Sequence, residues 1–170
     1  MAIRYTALIL LLLLAVISDR RTYKIKNSLH GVFILIGVGL ELWQNGLKGG
    51  SIAVVAMIIP ILILFPLFAL RMLGAGDIKL FASIGAIMGS GFVLNAMVYS
   101  FLSGGLMALL LMILRKNGRE RLRHLIAYMK TCFLTLSLQP YTDFNDKSDG
   151  AKFRFSYAIA CGCAAVIVLG

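Results

Sequence analysis

Residues 80–114 of this chain, LFASIGAIMGSGFVLNAMVYSFLSGGLMALLLMIL, contain no Asp, Glu, Lys or Arg. As one straight helix this stretch would be about 50 Å long, well beyond the roughly 30 Å of a bilayer's hydrocarbon core. We therefore expect two membrane-spanning helices here, with the chain folding back at Gly89-Ser90-Gly91.

The composition of the whole chain is also that of a membrane protein. Of its 170 residues 60% are hydrophobic and only 14% are charged, and its mean hydropathy is +0.91. Soluble domains have about a quarter charged residues, so this chain has too few to cover a globule in water. An ordinary cytosolic enzyme and a disordered tail that coats nucleic acid are both excluded.

Four further apolar stretches bring the expected number of membrane-spanning helices to six. They cover residues 2–17, 28–43, 51–70 and 153–170. The first stretch lacks an A-x-A-like cleavage site and its positive charge follows the apolar run, so we expect a retained helix rather than a signal peptide. The sequence therefore predicts a single all-α, polytopic domain over residues 1–170.

The distribution of basic residues predicts the orientation of these helices. Fifteen of the 17 Lys and Arg residues lie in the loops after the first, third and fifth spans, and only Arg4 and Lys48 lie on the other side. The positive-inside rule makes the three loops cytoplasmic, so both termini should face outward. The net charge of +10 therefore indicates membrane orientation and no nucleic-acid partner.

The last of these loops contains apolar residues at three- and four-residue steps over residues 122–136, with basic residues between them. This pattern favours a helix at the surface of the inner leaflet, with its basic side toward anionic headgroups. The alternative is a helix that packs on the bundle.

Two of the seven acidic residues lie where a membrane enzyme would use them. Asp19 follows the first span directly and Asp77 immediately precedes the fourth, so both are expected at the cytoplasmic membrane edge. Ionisable groups there are functional candidates, although a helix-capping role is the plain alternative for each. Gly74 and Gly76 favour function at Asp77, because two glycines let the backbone turn tightly and let another chain approach.

The other acidic residues are weaker candidates. Glu41 is expected near the outward end of the second span, facing headgroups, and Glu120 lies among arginines. Three more aspartates share a polar loop, but their spacing fails the calcium-loop pattern; they are Asp143, Asp146 and Asp149. The three cysteines and two histidines have no metal-ligand or disulfide spacing, so no metal or other cofactor is expected.

Two carboxylates on one face can hydrolyse a peptide bond without a metal or a cofactor. When they lie close together they do not both ionise readily, so one keeps a proton. The ionised carboxylate takes a proton from water while its protonated partner donates to the scissile carbonyl. No Ser/His/Asp or Cys/His arrangement in the sequence offers a competing nucleophile.

Residues 74–80, GAGDIKL, resemble the G-x-G-D-x-K-L motif of the type IV prepilin peptidases, a family of membrane aspartic proteases. Asp19 and the IKN at residues 25–27 are similar to that family's first aspartate and its downstream I-P-N, with Lys26 in place of proline. Residues 155–160, FSYAIA, resemble the family's final patch but lack both of its prolines.

The resemblance implies an aspartic endopeptidase of the bacterial inner membrane, with Asp19 and Asp77 as its catalytic residues. Its substrates would be prepilins or pseudopilins, in which a short basic leader precedes a hydrophobic helix lying among the membrane lipids. Five residues would support or border the site: Gly74, Gly76, Lys79, Asn27 and Tyr157. Lys79 would either lower the pKa of Asp77 or anchor the fourth span at the headgroups, and Asn27 is a possible cap of the second span.

Larger family members have a cytosolic loop with paired cysteine motifs, which accompanies N-methyltransferase activity. Here only residues 18–27 join the first two spans, so the chain looks like a short, peptidase-only form similar to those of Flp/Tad-type pili. Two alternatives stay open. One is a presenilin-like intramembrane protease, although that family places its first aspartate inside a span beside a tyrosine. The other is a non-catalytic membrane subunit of a secretion or transport complex, with both aspartates as caps or ion-pair partners.

Overall fold

The computed structural model describes residues 2–22, 27–70, 72–114 and 155–169. The elements in these ranges are helices: α1 (Ala2–Thr22), α2 (Asn27–Ala69), α3 (Ala75–Met88), α4 (Ser90–Leu114) and α5 (Phe155–Leu169). Three of these helices are long and apolar enough to cross a membrane, over Ala2–Arg20, Asn27–Ala69 and Ser90–Leu111. The expected all-α membrane class is confirmed for this part of the chain. The predicted surface helix over residues 122–136 lies outside the described residues, as do Glu120, Asp143, Asp146 and Asp149.

The long helix α2 consists of two halves that meet at Gly46. Gly46 has φ 59° and ψ −151°, a backbone conformation that is open to glycine and strained for other residues. In a straight helix Gly37 and Ala56 would be about 28 Å apart, yet they contact the adjacent α3 residues Ala86 and Gly85. The two halves therefore turn back on each other. The expected break between residues 43 and 51 is confirmed, but it occupies one residue because a single glycine makes the turn.

Close approach of backbones holds α2 and α3 together. A Cβ on Gly85 would collide with the carbonyl oxygen of Ala56, and one on Gly37 would stand 2.6 Å from the carbonyl carbon of Ala86. Small residues at such crossings let membrane helices pack by van der Waals contact. In α3, Ile78 and residues 80–87 are buried. This packing fixes the direction of α3 and the position of its first turn.

The other helices complete the core around α3. Leu8 and Leu11 of α1, Val93 of α4 and Ile159 of α5 are fully buried in the same hydrophobic cluster. The predicted interruption of residues 80–114 is confirmed at Gly89, where φ is 89° and α3 gives way to α4.

A buried polar cluster joins the start of α1 to the middle of α2. Arg4 Nη1 forms an ion pair with Glu41 Oε1 at 2.6 Å, and Asn45 Nδ2 donates to Glu41 Oε2 at 2.8 Å. Glu41 is only 5% exposed, so the expectation that it faces headgroups is wrong. The charge of Arg4 and the second hydrogen bond compensate the carboxylate for the loss of water.

Candidate active site

Asp19 lies on α1, in the turn before the helix ends. The sequence predicts Asp19 just after the first span, but α1 continues to Thr22 because the helix extends beyond its apolar stretch. Asp19 is half-buried, and Ser156 Oγ at the start of α5 donates a hydrogen bond to its Oδ2 at 2.5 Å. A hydroxyl–carboxylate contact of this length is a charge-assisted hydrogen bond. Asp19 thus connects α1 to α5.

Asp77 is the third residue of α3 rather than the residue before it, and Gly74 is the N-cap. The Gly74 backbone forms a hydrogen bond with the Asp77 carboxyl group, which is the way an acidic side chain at this position caps a helix. A Cβ on Gly74 would stand 3.1 Å from Asp77 Oδ2, so glycine leaves room for the carboxylate. Gly76, the second residue of α3, directly precedes Asp77 in the sequence and is half-buried.

The carboxyl group of Asp77 is affected by its burial and by the charge of Asp19. Asp77 lies outside the uncharged stretch that begins at Leu80. The pKa of its carboxyl group is raised from 3.8 to about 6, chiefly by burial and then by the negative charge of Asp19, while a hydrogen bond with the Gly74 backbone opposes the rise. Because the interaction between charges weakens with distance and with solvent, this effect requires Asp19 and Asp77 to lie near one another. Asp19 therefore lies close enough to Asp77 for its charge to act on that carboxyl group.

Lys79 forms its hydrogen bond with Asn27 rather than with Asp77. Its Nζ donates to Asn27 Oδ1 at 2.8 Å, and both residues are exposed. The causes that shift the pKa of Asp77 are its burial, Asp19 and Gly74. Lys79 and Asn27 therefore join the N-terminal part of α3 to the first turn of α2.

Ser156 is the residue of this site that sequence reasoning missed. The sequence pointed to its neighbour Tyr157, which is 37% exposed, whereas Ser156 is 1% exposed and contacts Asp19. A single serine in an apolar segment gives no signal of its own. Its distance along the sequence from the two aspartates does not predict the contact with Asp19, because that contact forms only when α5 packs beside α1.

His30 belongs to the core beside this site. It is 2% exposed, its Nδ1 lies 3.4 Å from Ser83 Oγ, and Ser83 Oγ also donates to the Lys79 carbonyl oxygen at 2.8 Å. In the described part of the chain no three His, Cys, Asp or Glu residues are grouped so that they could hold a metal ion.

The fold and the site together define a class of protein. It is a helical protein with helices apolar enough to cross a membrane, in which the charge of Asp19 on α1 acts on the carboxyl group of Asp77 on α3. The sequence matches the type IV leader peptidase family over residues 6–109, which include both aspartates and the GAGDIKL motif. Because this match covers more than half of the chain, the protein belongs to the type IV leader peptidase family and is a protease of that type. Comparison with curated proteins and with solved structures gives no match.

Proposed function

We propose that this protein is a prepilin leader peptidase of the bacterial inner membrane. It is an aspartic endopeptidase that removes the short basic leader of type IV or Flp-like prepilins and pseudopilins. One observation carries the proposal: Asp19 of α1 and Asp77 of α3 lie near enough for the charge of one to raise the pKa of the other. A close pair of carboxylates that share one proton can activate a water molecule without a nucleophilic side chain.

The chemistry follows from the shared proton. The ionised carboxylate removes a proton from a water molecule, whose oxygen forms a bond to the scissile carbonyl carbon, while the protonated carboxyl group donates to the carbonyl oxygen. The tetrahedral intermediate then collapses. The proton taken from water passes to the leaving nitrogen as the C–N bond breaks, and a hydroxyl proton of the intermediate returns to the other carboxylate. The products are a carboxylic acid and an amine, and the pair regains its starting protonation.

The proposed topology places this chemistry at the right depth. With six membrane-spanning segments in one domain and both termini outside, Asp19 and Asp77 lie at the cytoplasmic edge of the membrane. A prepilin helix lying in the bilayer beside the enzyme presents its leader junction at that edge. The two carboxylates also provide negative charge near a basic leader, on the side where most of the enzyme's basic residues lie.

The test is leader cleavage of co-expressed prepilins, followed as a gel shift, with wild type, Asp19→Asn and Asp77→Asn compared at equal membrane abundance. Each substitution should lower the cleavage rate at least about 1,000-fold, since neither carboxyl group works alone. Glu41→Gln is the control because it alters a buried carboxylate that the structure places beside Arg4.

The outcomes separate the proposal from its alternatives. Normal cleavage by either aspartate variant rejects the two-carboxylate mechanism. A new N-terminus inside the hydrophobic helix, identified by mass spectrometry, would indicate presenilin-like proteolysis. If the wild type cuts no prepilin of a broad panel, prepilins are rejected as its substrates and the non-catalytic membrane subunit stays open.

A further inference from the structure

Ser156 is placed to act on one carboxylate of the pair. It is the second residue of α5, is 1% exposed, and donates to Asp19 Oδ2 at 2.5 Å. It also lies beyond residues 6–109, the range that the family match covers. The sequence resemblance in FSYAIA, residues 155–160, gave Ser156 no role of its own.

We infer that Ser156 is a positioning residue that holds the Asp19 carboxylate by a hydrogen bond and thereby makes Asp19 the general base of the pair. This inference rests on the proposed function. It divides the work between the two aspartates: Asp19 takes the proton from water, and Asp77 protonates the scissile carbonyl oxygen.

The surroundings of the two carboxyl groups support this division. A hydrogen bond donated to a carboxylate favours its charged form, and Ser156 gives such a bond to Asp19. Asp77 has the opposite tendency, because burial and the charge of Asp19 raise its pKa to about 6. When the pair carries one proton, Asp77 therefore holds it.

Among the residues that the structure describes, the other charged side chains of the neighbouring elements are exposed or bound elsewhere. Arg20, next to Asp19 on α1, is exposed, and Lys79 of α3 is bound to Asn27. On the first turns of α2 the titratable side chain is His30, which is buried against Ser83. In α5, Tyr157 is exposed beside Ser156. Ser156 Oγ contacts the Asp19 carboxylate directly.

The test compares Ser156→Ala, which removes the hydroxyl group, with Ser156→Thr, which keeps one. The pH dependence of kcat/KM is measured on purified full-length enzyme in nanodiscs, with a prepilin that the wild type cleaves. Ser156→Ala should lower kcat about tenfold to a hundredfold with little change in KM, as expected for loss of a hydrogen bond to a charged group. The acid limb of its profile should move to higher pH, because Asp19 is then protonated more easily. Ser156→Thr should restore a large part of the rate.

Ser103→Ala is the matched control. Ser103 of α4 donates to the carbonyl oxygen of Ala158, so this variant removes a serine hydrogen bond to α5 that does not involve Asp19. Its pH profile should equal that of the wild type. The inference is overturned if Ser156→Ala lowers the rate without shifting the acid limb and Ser103→Ala lowers the rate equally. Ser156 would then only anchor α5. An unchanged rate and profile in Ser156→Ala overturns it as well.

A second measurement does not depend on activity, or on whether Ser156→Thr fits its buried site. In the Asp77→Asn background, ¹³C NMR of aspartate-labelled protein follows the titration of Asp19, assigned by comparison with the Asp19→Asn double variant. Adding Ser156→Ala should move that titration to higher pH, and an unmoved titration overturns the inference. If the titration moves but the wild type cleaves no prepilin, the proposed function fails and the assignment of Asp19 as base fails with it.

Discussion

At the scale of single residues, Asp77 opposes the stability of the fold. Its carboxyl pKa is about 6 in the folded protein against 3.8 in the unfolded chain, chiefly because the group is buried. The folded state therefore binds this proton more tightly than the unfolded state does. The resulting stabilisation is complete below the unfolded value and is lost as the pH rises through about 6. At neutral pH the ionised Asp77 makes folding less favourable.

Replacing this aspartate should stabilise the protein where the carboxylate is charged. We expect Asp77→Asn to raise the free energy of unfolding at pH 8 by on the order of 1–2 kcal/mol, and to change it little at pH 4. The apparent Tm of the purified protein in detergent, measured at both pH values, tests this. Glu41→Gln should show the opposite effect at pH 8, since it breaks an ion pair to Arg4. A lower Tm for Asp77→Asn at pH 8 would contradict the prediction.

At the scale of the helices, the crossing of α2 and α3 determines where Asp77 stands. Gly85→Ala should destabilise the protein by about 1–3 kcal/mol, because its Cβ would collide with the Ala56 carbonyl oxygen and force the helices apart. It should also slow leader cleavage, since the first turn of α3 moves with the helix. Gly39→Ala in α2 is the matched control, because nothing lies within 4 Å of its added Cβ. Equal Tm values for the two variants would show that the crossing tolerates a methyl group.

The helices also show which parts of the fold and of the candidate site the sequence alone predicts. Charge-free stretches predict the apolar helices, and scarcity of acidic residues together with the glycines of GAGD points to Asp19 and Asp77. Helix ends were misjudged because α1 and α3 extend into polar residues, where hydropathy gives no signal. The Ser156–Asp19 bond and the burial of Glu41 by Arg4 could not be predicted, because each joins residues far apart in the chain.

At the scale of the whole molecule, two polar clusters lie at opposite ends of α1. Arg4 contacts Glu41 near one end, and Asp19 contacts Ser156 near the other. The helical rise between Arg4 and Asp19 is about 22 Å, which is most of the hydrocarbon thickness of a bilayer. The first half of α2 runs back alongside, from Asn27 near the carboxylates to Glu41. The pair of aspartates is thus confined to one end of the bundle, as a protease that cuts at a membrane surface requires.

Cysteine labelling can determine which side of the membrane that end faces. In a variant whose native cysteines are replaced, Leu47→Cys marks the turn at Gly46, where Leu47 is 88% exposed, and Arg20→Cys marks the aspartate end. Because basic residues concentrate in the loops expected at the aspartate end, the positive-inside rule predicts that this end is cytoplasmic. A membrane-impermeant maleimide should therefore label Leu47→Cys in intact spheroplasts, and Arg20→Cys only after permeabilisation.

The reverse pattern would invert the topology and place Asp19 and Asp77 where a cytoplasmic leader cannot reach them. Labelling of both positions from one side would mean that α1 and the first half of α2 do not cross the bilayer.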